Sequence, residues 1–132
     1  MKYIINGNIT AHQKATFTSK KTIVPFGIFK DQDQLPNPVE LLLGSFASCC
    51  LKNIERFSST LKFNYKNAQI EVIGERQEKP TKLIAIKYII YIKSKDNNLN
   101  ITLLHKNLKK FGTIYNTLKE VCEITGEIQL ID

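Results

Sequence analysis

The stretch that most constrains this chain of 132 residues is Asn37-Pro38-Val39-Glu40-Leu41-Leu42-Leu43-Gly44-Ser45-Phe46-Ala47-Ser48-Cys49-Cys50. Its residue order predicts a helix over roughly 38–58. Asn37 suits the N-cap, where its side chain accepts from a free first-turn amide. Pro38 suits the first helical position, where a missing N–H costs little. Glu40 falls in the first turn, where a carboxylate meets the positive end of the helix dipole. Apolar residues then run almost all round the helix: Leu41, Leu42, Leu43, Phe46, Ala47, Cys49, Cys50, Leu51, Ile54 and Phe57. A helix apolar on most sides is a buried one. The rest of the chain must therefore supply sheet and helix to cover it.

One polar stripe survives: Ser45, Ser48, Lys52, Glu55 and Arg56. At about 100° per residue these fall within about 100° of arc. Cys49 lies about 20° outside one edge of that arc. Cys50 points into the apolar face, among Leu43, Phe46, Ile54 and Phe57. The two adjacent thiols are thus expected to differ. Cys49 is placed to meet polar groups or solvent, and Cys50 reads as core. A bond between them is not expected, because neighbouring side chains on a helix diverge.

Length and composition fit one soluble α+β domain spanning residues 1–132, with 42% hydrophobic and 23% charged residues. No apolar run approaches the ~20 residues of a membrane span. The opening Met1-Lys2-Tyr3-Ile4-Ile5-Asn6-Gly7 turns polar too soon to read as a signal peptide. A reducing cytoplasm is the expected compartment, where thiols are catalytic, metal-binding or inert rather than structural disulfides. The net charge of +7 comes from scattered lysines without a nucleic-acid motif, so a solvated surface is expected and no nucleic-acid partner. His12 and His105 show no metal-ligand spacing with the cysteines, so no metal site is expected.

In order, residues 2–9 and 14–18 read as short strands with a turn at Asn6-Gly7-Asn8, and Thr22 to Val24 as a third strand. A polar loop over 30–36 leads to the central helix. Ala68-Gln69-Ile70-Glu71-Val72 alternates as a strand, and Gly74 through Pro80 reads as a turn. Residues 82–94 form the longest strand, with Ile84, Ile86, Tyr88, Ile90 and Ile92 on one face, and its apolar length suits a central place in a sheet. Asp96 or Asn98 is a candidate cap for a helix carrying Ile101, Leu104, Leu108 and Phe111. Gly112 interrupts it, a second piece runs over roughly 113–122, and Glu127–Ile131 closes the chain as a strand.

The run Pro38-Val39-Glu40-Leu41-Leu42-Leu43, with Cys49 six residues later, resembles the OsmC/Ohr family of osmotically inducible and organic hydroperoxide resistance proteins. That family has a second cysteine just before its last strand, matched here by Cys122 in Val121-Cys122-Glu123-Ile124. The turn from Gly74-Glu75-Arg76 to Pro80, the long strand after it and the order of elements are similar along the whole chain. The resemblance implies an OsmC-like fold: antiparallel sheets around a buried central helix, in an intertwined homodimer with a thiol site at the subunit boundary. It implies a thiol-dependent peroxidase acting on organic hydroperoxides or hydrogen peroxide without a cofactor. In that scheme Cys49 is the peroxidatic thiol and Cys122 the resolving thiol, and a lipoyl-type dithiol is the reductant.

Peroxidase members carry an acid directly after the helix-start proline and pair it with an arginine from the N-terminal region. Here Val39 holds that position, the acid is Glu40, and no arginine precedes Arg56. Glu40 therefore reads either as a helix-end charge or as an active-site group. Lys20, Lys21, Arg56 and Arg76 are the cations available in place of the arginine, with Arg56 also suited to pair with Glu55 or solvent. These substitutions keep open a second reading, a non-catalytic small-ligand-binding protein on the same fold.

Overall fold

The apolar stretch forms one helix, α1 (Pro38–Thr60), in a computed structural model that describes residues 1–30 and 34–132. Both of its ends are closed by local chemistry. At the start, the Glu40 N–H donates to Asn37 Oδ1 at 2.8 Å, and the Asn37 N–H donates to Glu40 Oε1 at 3.1 Å. This is a reciprocal capping box, which satisfies two otherwise orphaned amides. At the end, the Phe63 N–H returns to Ser58 O at 3.0 Å and the Lys62 N–H to Ser59 O at 3.3 Å, with Lys62 in the left-handed region at φ 56°. That is a Schellman closure with lysine where glycine is usual. Part of the polar loop expected over 30–36, residues 31–33, lies outside the described residues.

The chain packs as two compact units, Met1–Leu42 and Leu43–Asp132. The first unit holds an antiparallel meander, β1 (Asn6–Thr10), β2 (Lys14–Ser19) and β3 (Thr22–Phe26), in that spatial order. Its buried centre is slight: Ala15 is 2% exposed, and the Phe17 and Phe26 rings pack at 6.3 Å. The turn expected at Asn6-Gly7-Asn8 is instead part of β1, and the chain reverses at Ala11–Gln13, where the Gln13 N–H meets Thr10 O at 3.0 Å. His12 takes the positive φ there, and Lys20 does so in the β2–β3 turn, so neither turn carried the Asn-Gly signal.

The second unit contains most of α1, then β4 (Asn67–Glu78), β5 (Thr81–Lys93), α2 (Ile101–Phe111), α3 (Thr113–Leu118) and β6 (Glu123–Ile131). β5 is central, as its apolar length predicted, between β4 and β6. β4 and β5 pair antiparallel, whereas β5 and β6 run parallel. The antiparallel sheets that the resemblance implies are found at every other pairing, and β6 is the exception. The chain leaves β5, crosses through α2 and α3, and re-enters from the same end, a connection that favours parallel pairing. β4 also continues through Gly74 to Glu78, with a register shift at Glu75/Arg76, so the turn is confined to residues around Pro80.

Asn100, rather than Asp96 or Asn98, caps α2 by accepting from the Leu103 N–H at 3.0 Å. Asp96 instead accepts from the N–H groups of Asn64 and Asn98 at 2.7 and 2.8 Å, which hold its carboxyl below the usual range. α3 stops at Leu118, short of residue 122. The core lies where α1, β5 and α2 meet. Phe46, Ile54, Ile86, Ile90, Ile92 and Leu104 are its fully buried large side chains.

Candidate functional site

The two adjacent cysteines diverge as helix geometry requires. Cys50 is 4% exposed and belongs to the core cluster. Burial, with Cys49 beside it, pushes its thiol up to about 12, so it remains protonated and unreactive at neutral pH. Cys49 is only partly buried. Two groups approach its sulfur. One turn further along α1, the Asn53 amide points Nδ2 at Cys49 Sγ, 3.8 Å away. At the α2–α3 junction, Gly112 comes so close that a Cβ there would lie 3.2 Å from the same sulfur.

The junction is itself well held. The Gly112 N–H closes on Leu108 O at 3.2 Å, and Gly112 O accepts from the Asn116 N–H at 2.8 Å. A Cβ on Gly112 would also meet Leu108 O at 3.0 Å and Tyr115 Cβ at 3.1 Å. The break that the sequence signals at Gly112 thus sets the wall against which Cys49 rests. Arg56, expected to pair with Glu55 or solvent, is exposed and places its guanidinium over the Phe57 and Phe111 rings at 5.2 and 5.8 Å. Glu55 accepts from the Tyr65 hydroxyl at 2.9 Å.

The core around Cys50 carries an aromatic cluster. Phe46 packs against Tyr88 at 5.6 Å and Tyr115 at 5.9 Å between ring centroids. Burial foremost, and then the neighbouring Tyr115 and Cys50, raise the Tyr88 phenol. Its hydroxyl reaches His105 Nε2 at 2.5 Å. Burial and then Lys109 hold that imidazole below its ordinary value.

Cys122 is buried just before β6, with its Sγ donating to Leu83 O at 3.4 Å. Its sulfur and that of Cys49 thus have separate partners, and both are free thiols. Glu40 has one carboxylate oxygen engaged in the capping box. Of the cations considered in place of the arginine, Arg76 pairs with Glu78 at 3.2 Å on the surface, while Lys20 and Lys21 form the β2–β3 turn. Among the described residues, no three His, Cys, Asp or Glu side chains converge as a metal site. No helix among the described residues is long and apolar enough to cross a membrane.

The sequence reading missed Asn53 and the Tyr88–His105 pair. Asn53 stands four residues after Cys49, the spacing that stacks side chains on one helix face, and that offset was the available signal.

The model of the OsmC-like protein family matches residues 31–127. This chain belongs to the OsmC-like family. Among solved structures, it is similar to an OsmC-like protein from Mycoplasma pneumoniae, with a TM-score of 0.89 and 19% identity over 100% of this chain and 99% of that one. It is also similar to an OsmC-like protein of unknown function from Vibrio cholerae, at TM-score 0.78, 8% identity, and 97% and 99% coverage. A third is the organic hydroperoxide resistance protein OhrB of Bacillus subtilis, at TM-score 0.67, 14% identity, and 96% and 98% coverage. At these identities the structural likenesses establish the OsmC fold. No curated protein sequence matches the chain.

Proposed function

We propose that this OsmC-like protein is a cytoplasmic, homodimeric thiol peroxidase that reduces organic hydroperoxides or hydrogen peroxide with Cys49. The observation that carries the reading is the contrast between the adjacent thiols. Cys50 is sealed in the core, while Cys49 is reachable and receives an amide N–H at its sulfur. Family membership adds weight, as does the hydroperoxide resistance protein among the similar structures.

In the proposed reaction the Cys49 thiolate attacks the terminal peroxide oxygen. An S–O bond forms, the O–O bond breaks, and the alkoxide takes a proton to leave as alcohol, or as water from hydrogen peroxide. Sulfur loses the two electrons that the peroxide gains. The Cys122 thiol then attacks the resulting sulfenic acid, forming a disulfide and releasing water. A dithiol of the lipoyl class reduces that disulfide and is itself oxidised. Cys122 must leave Leu83 O for this step. Glu40 lies nine residues before Cys49 on α1, on the opposite face of the helix, so an acidic role for it belongs to the thiol site of the partner subunit.

The test is mass spectrometry after stoichiometric cumene hydroperoxide, comparing wild type with Cys49→Ser and Cys122→Ser. The expected result is a Cys49–Cys122 disulfide in wild type and a trapped sulfenic acid on Cys49 in Cys122→Ser. Unmodified thiols in all three proteins would overturn the reading. A second reading, binding of a small apolar ligand without catalysis, is favoured by one feature of the first unit. A cavity of about 350 Å³ there is lined by Ile5, Gly7, Phe17, Phe26, Pro38 and Leu41. Native mass spectrometry that finds no copurified ligand would count against it.

A further inference from the structure

We infer that Asn53 is the positioning residue for the Cys49 sulfur, holding it by an amide N–H beside Gly112 in the form that attacks. The inference rests on the peroxidase reading of Cys49 for its functional meaning, but its physical content concerns the thiol alone. Asn53 is 9% exposed, an unusual place for an amide on a helix face that is otherwise apolar. Such a group is retained where its hydrogens have a partner, since an unpaired buried amide is costly. Here Nδ2 is aimed at Cys49 Sγ, 3.8 Å away.

The geometry leaves this donor little freedom. Asn53 and Cys49 are four residues apart on α1, so their side chains lie over one another on one face. Gly112 also stands against the sulfur, at a distance that a methyl group would crowd. A hydrogen bond to the charged form of a group favours that form, and it is stronger than one to the neutral form.

Other charged and titratable groups stand on the elements around the sulfur. On α1 they are Cys50, Lys52, Glu55 and Arg56; α2 ends in Lys109 and Lys110, and α3 carries Tyr115. Cys50 and Tyr115 are neutral at physiological pH, because burial raises both. Arg56 is held over Phe57 and Phe111. Asn53 supplies the hydrogen bond to the sulfur, and since an amide does not titrate, that bond has the same donor at every pH. This gives the sulfur a fixed donor at a site whose sequence has no arginine before Arg56.

The experiment compares full-length wild type, Asn53→Leu and Asn53→Asp. Leucine keeps the volume and removes the donor. Aspartate keeps the shape and sets a negative charge beside the sulfur, and it serves if the leucine variant does not fold. The rate of Cys49 alkylation by iodoacetamide is followed from acid to alkaline pH by mass spectrometry of the Cys49 peptide. The expected result is a loss of about tenfold near neutral pH, with the profile displaced to higher pH and the wild-type rate regained at its alkaline end. Folded variants whose profile superimposes on wild type would overturn the inference. So would a loss that is the same at every pH, because that marks a steric change. If peroxide leaves wild-type Cys49 unmodified while the displacement is observed, the peroxidase reading fails and the role of Asn53 stands. If peroxide oxidises wild-type Cys49 but the profiles coincide, only the role of Asn53 fails.

Discussion

Gly126→Ala should destabilise this protein, although alanine in place of glycine ordinarily restricts the unfolded chain and stabilises by up to about 1 kcal/mol. Gly126 sits in β6 directly opposite Tyr88 of β5. The Tyr88 ring lies flat across it: a Cβ there would be 2.4 Å from Cε1 and Cζ and 2.5 Å from Cδ1. Carbon atoms settle at about 3.5–4.0 Å, so the ring must retreat by more than about 1 Å. It has nowhere easy to go. Tyr88 is 2% exposed, Phe46 packs on it at 5.6 Å, and its hydroxyl is tied to His105 at 2.5 Å. Overpacking of this kind costs about 1–3 kcal/mol. Losing the tyrosine–histidine bond adds about 1 kcal/mol. After the gain from alanine is subtracted, a net loss of about 2 kcal/mol remains. For a chain of this size that lowers Tm by on the order of 7 °C. The assay is thermal and urea unfolding of Gly126→Ala, Tyr88→Ala and the double variant. With the ring gone the alanine has room, so the cycle should show a coupling of about 2 kcal/mol. A Gly126→Ala protein as stable as wild type would refute the argument, as would an equal loss in the Tyr88→Ala background.

Glu40→Ala should destabilise α1 by about 1 kcal/mol through loss of the capping box, whereas Glu40→Gln keeps the acceptor and should unfold near the wild-type urea midpoint. If Glu40→Gln nevertheless slows the peroxide reaction, the charge serves the thiol site as well as the helix end. His105 should make stability depend on pH. Its folded-state value is lowered, so the unfolded chain binds the proton more readily. Its contribution is full above the unfolded value of about 6.5 and is lost as pH falls through it toward the lower folded value. The wild-type urea midpoint should fall between about pH 7.5 and pH 5.5, and that of His105→Gln should fall less. Parallel pH profiles for the two proteins would sink this assignment.

Much of the architecture could be read from apolar periodicity because that signal reports burial directly. The alternation of Ile84, Ile86, Tyr88, Ile90 and Ile92 marked a strand at the centre of a sheet, and Ile86, Tyr88, Ile90 and Ile92 are all buried. What periodicity cannot carry is strand direction. The parallel pairing of β6 with β5 follows from the path through α2 and α3, not from any residue in β6. Turns were legible only where special residues mark them. Lysine and histidine adopt the positive φ values at Lys20, Lys62 and His12, so the first-unit reversals carried no glycine signal. Asn100 was overlooked as the α2 cap because Asp96 and Asn98 are equally good candidates by type. Only the fold shows that Asp96 is occupied by the amides of Asn64 and Asn98.

The site was legible to the extent that a single helix determines it. The separation of Cys49 from Cys50 needs only the rotation of about 100° between neighbours and a buried face to measure it against. Asn53 stands four residues after Cys49 and so on its side of the helix, but a helical wheel gives no reason for an amide to be buried there. The reason lies elsewhere in the chain. The α2–α3 break puts Gly112 against Cys49, at the same sulfur that faces the Asn53 amide. A glycine that reads in sequence as a helix breaker is therefore also the surface that shapes the thiol's environment. The same logic separates the two roles of Glu40. A carboxylate in a capping box is fully accounted for by the helix end, so any part it plays at the thiol must appear as an effect of charge that survives when the cap is preserved.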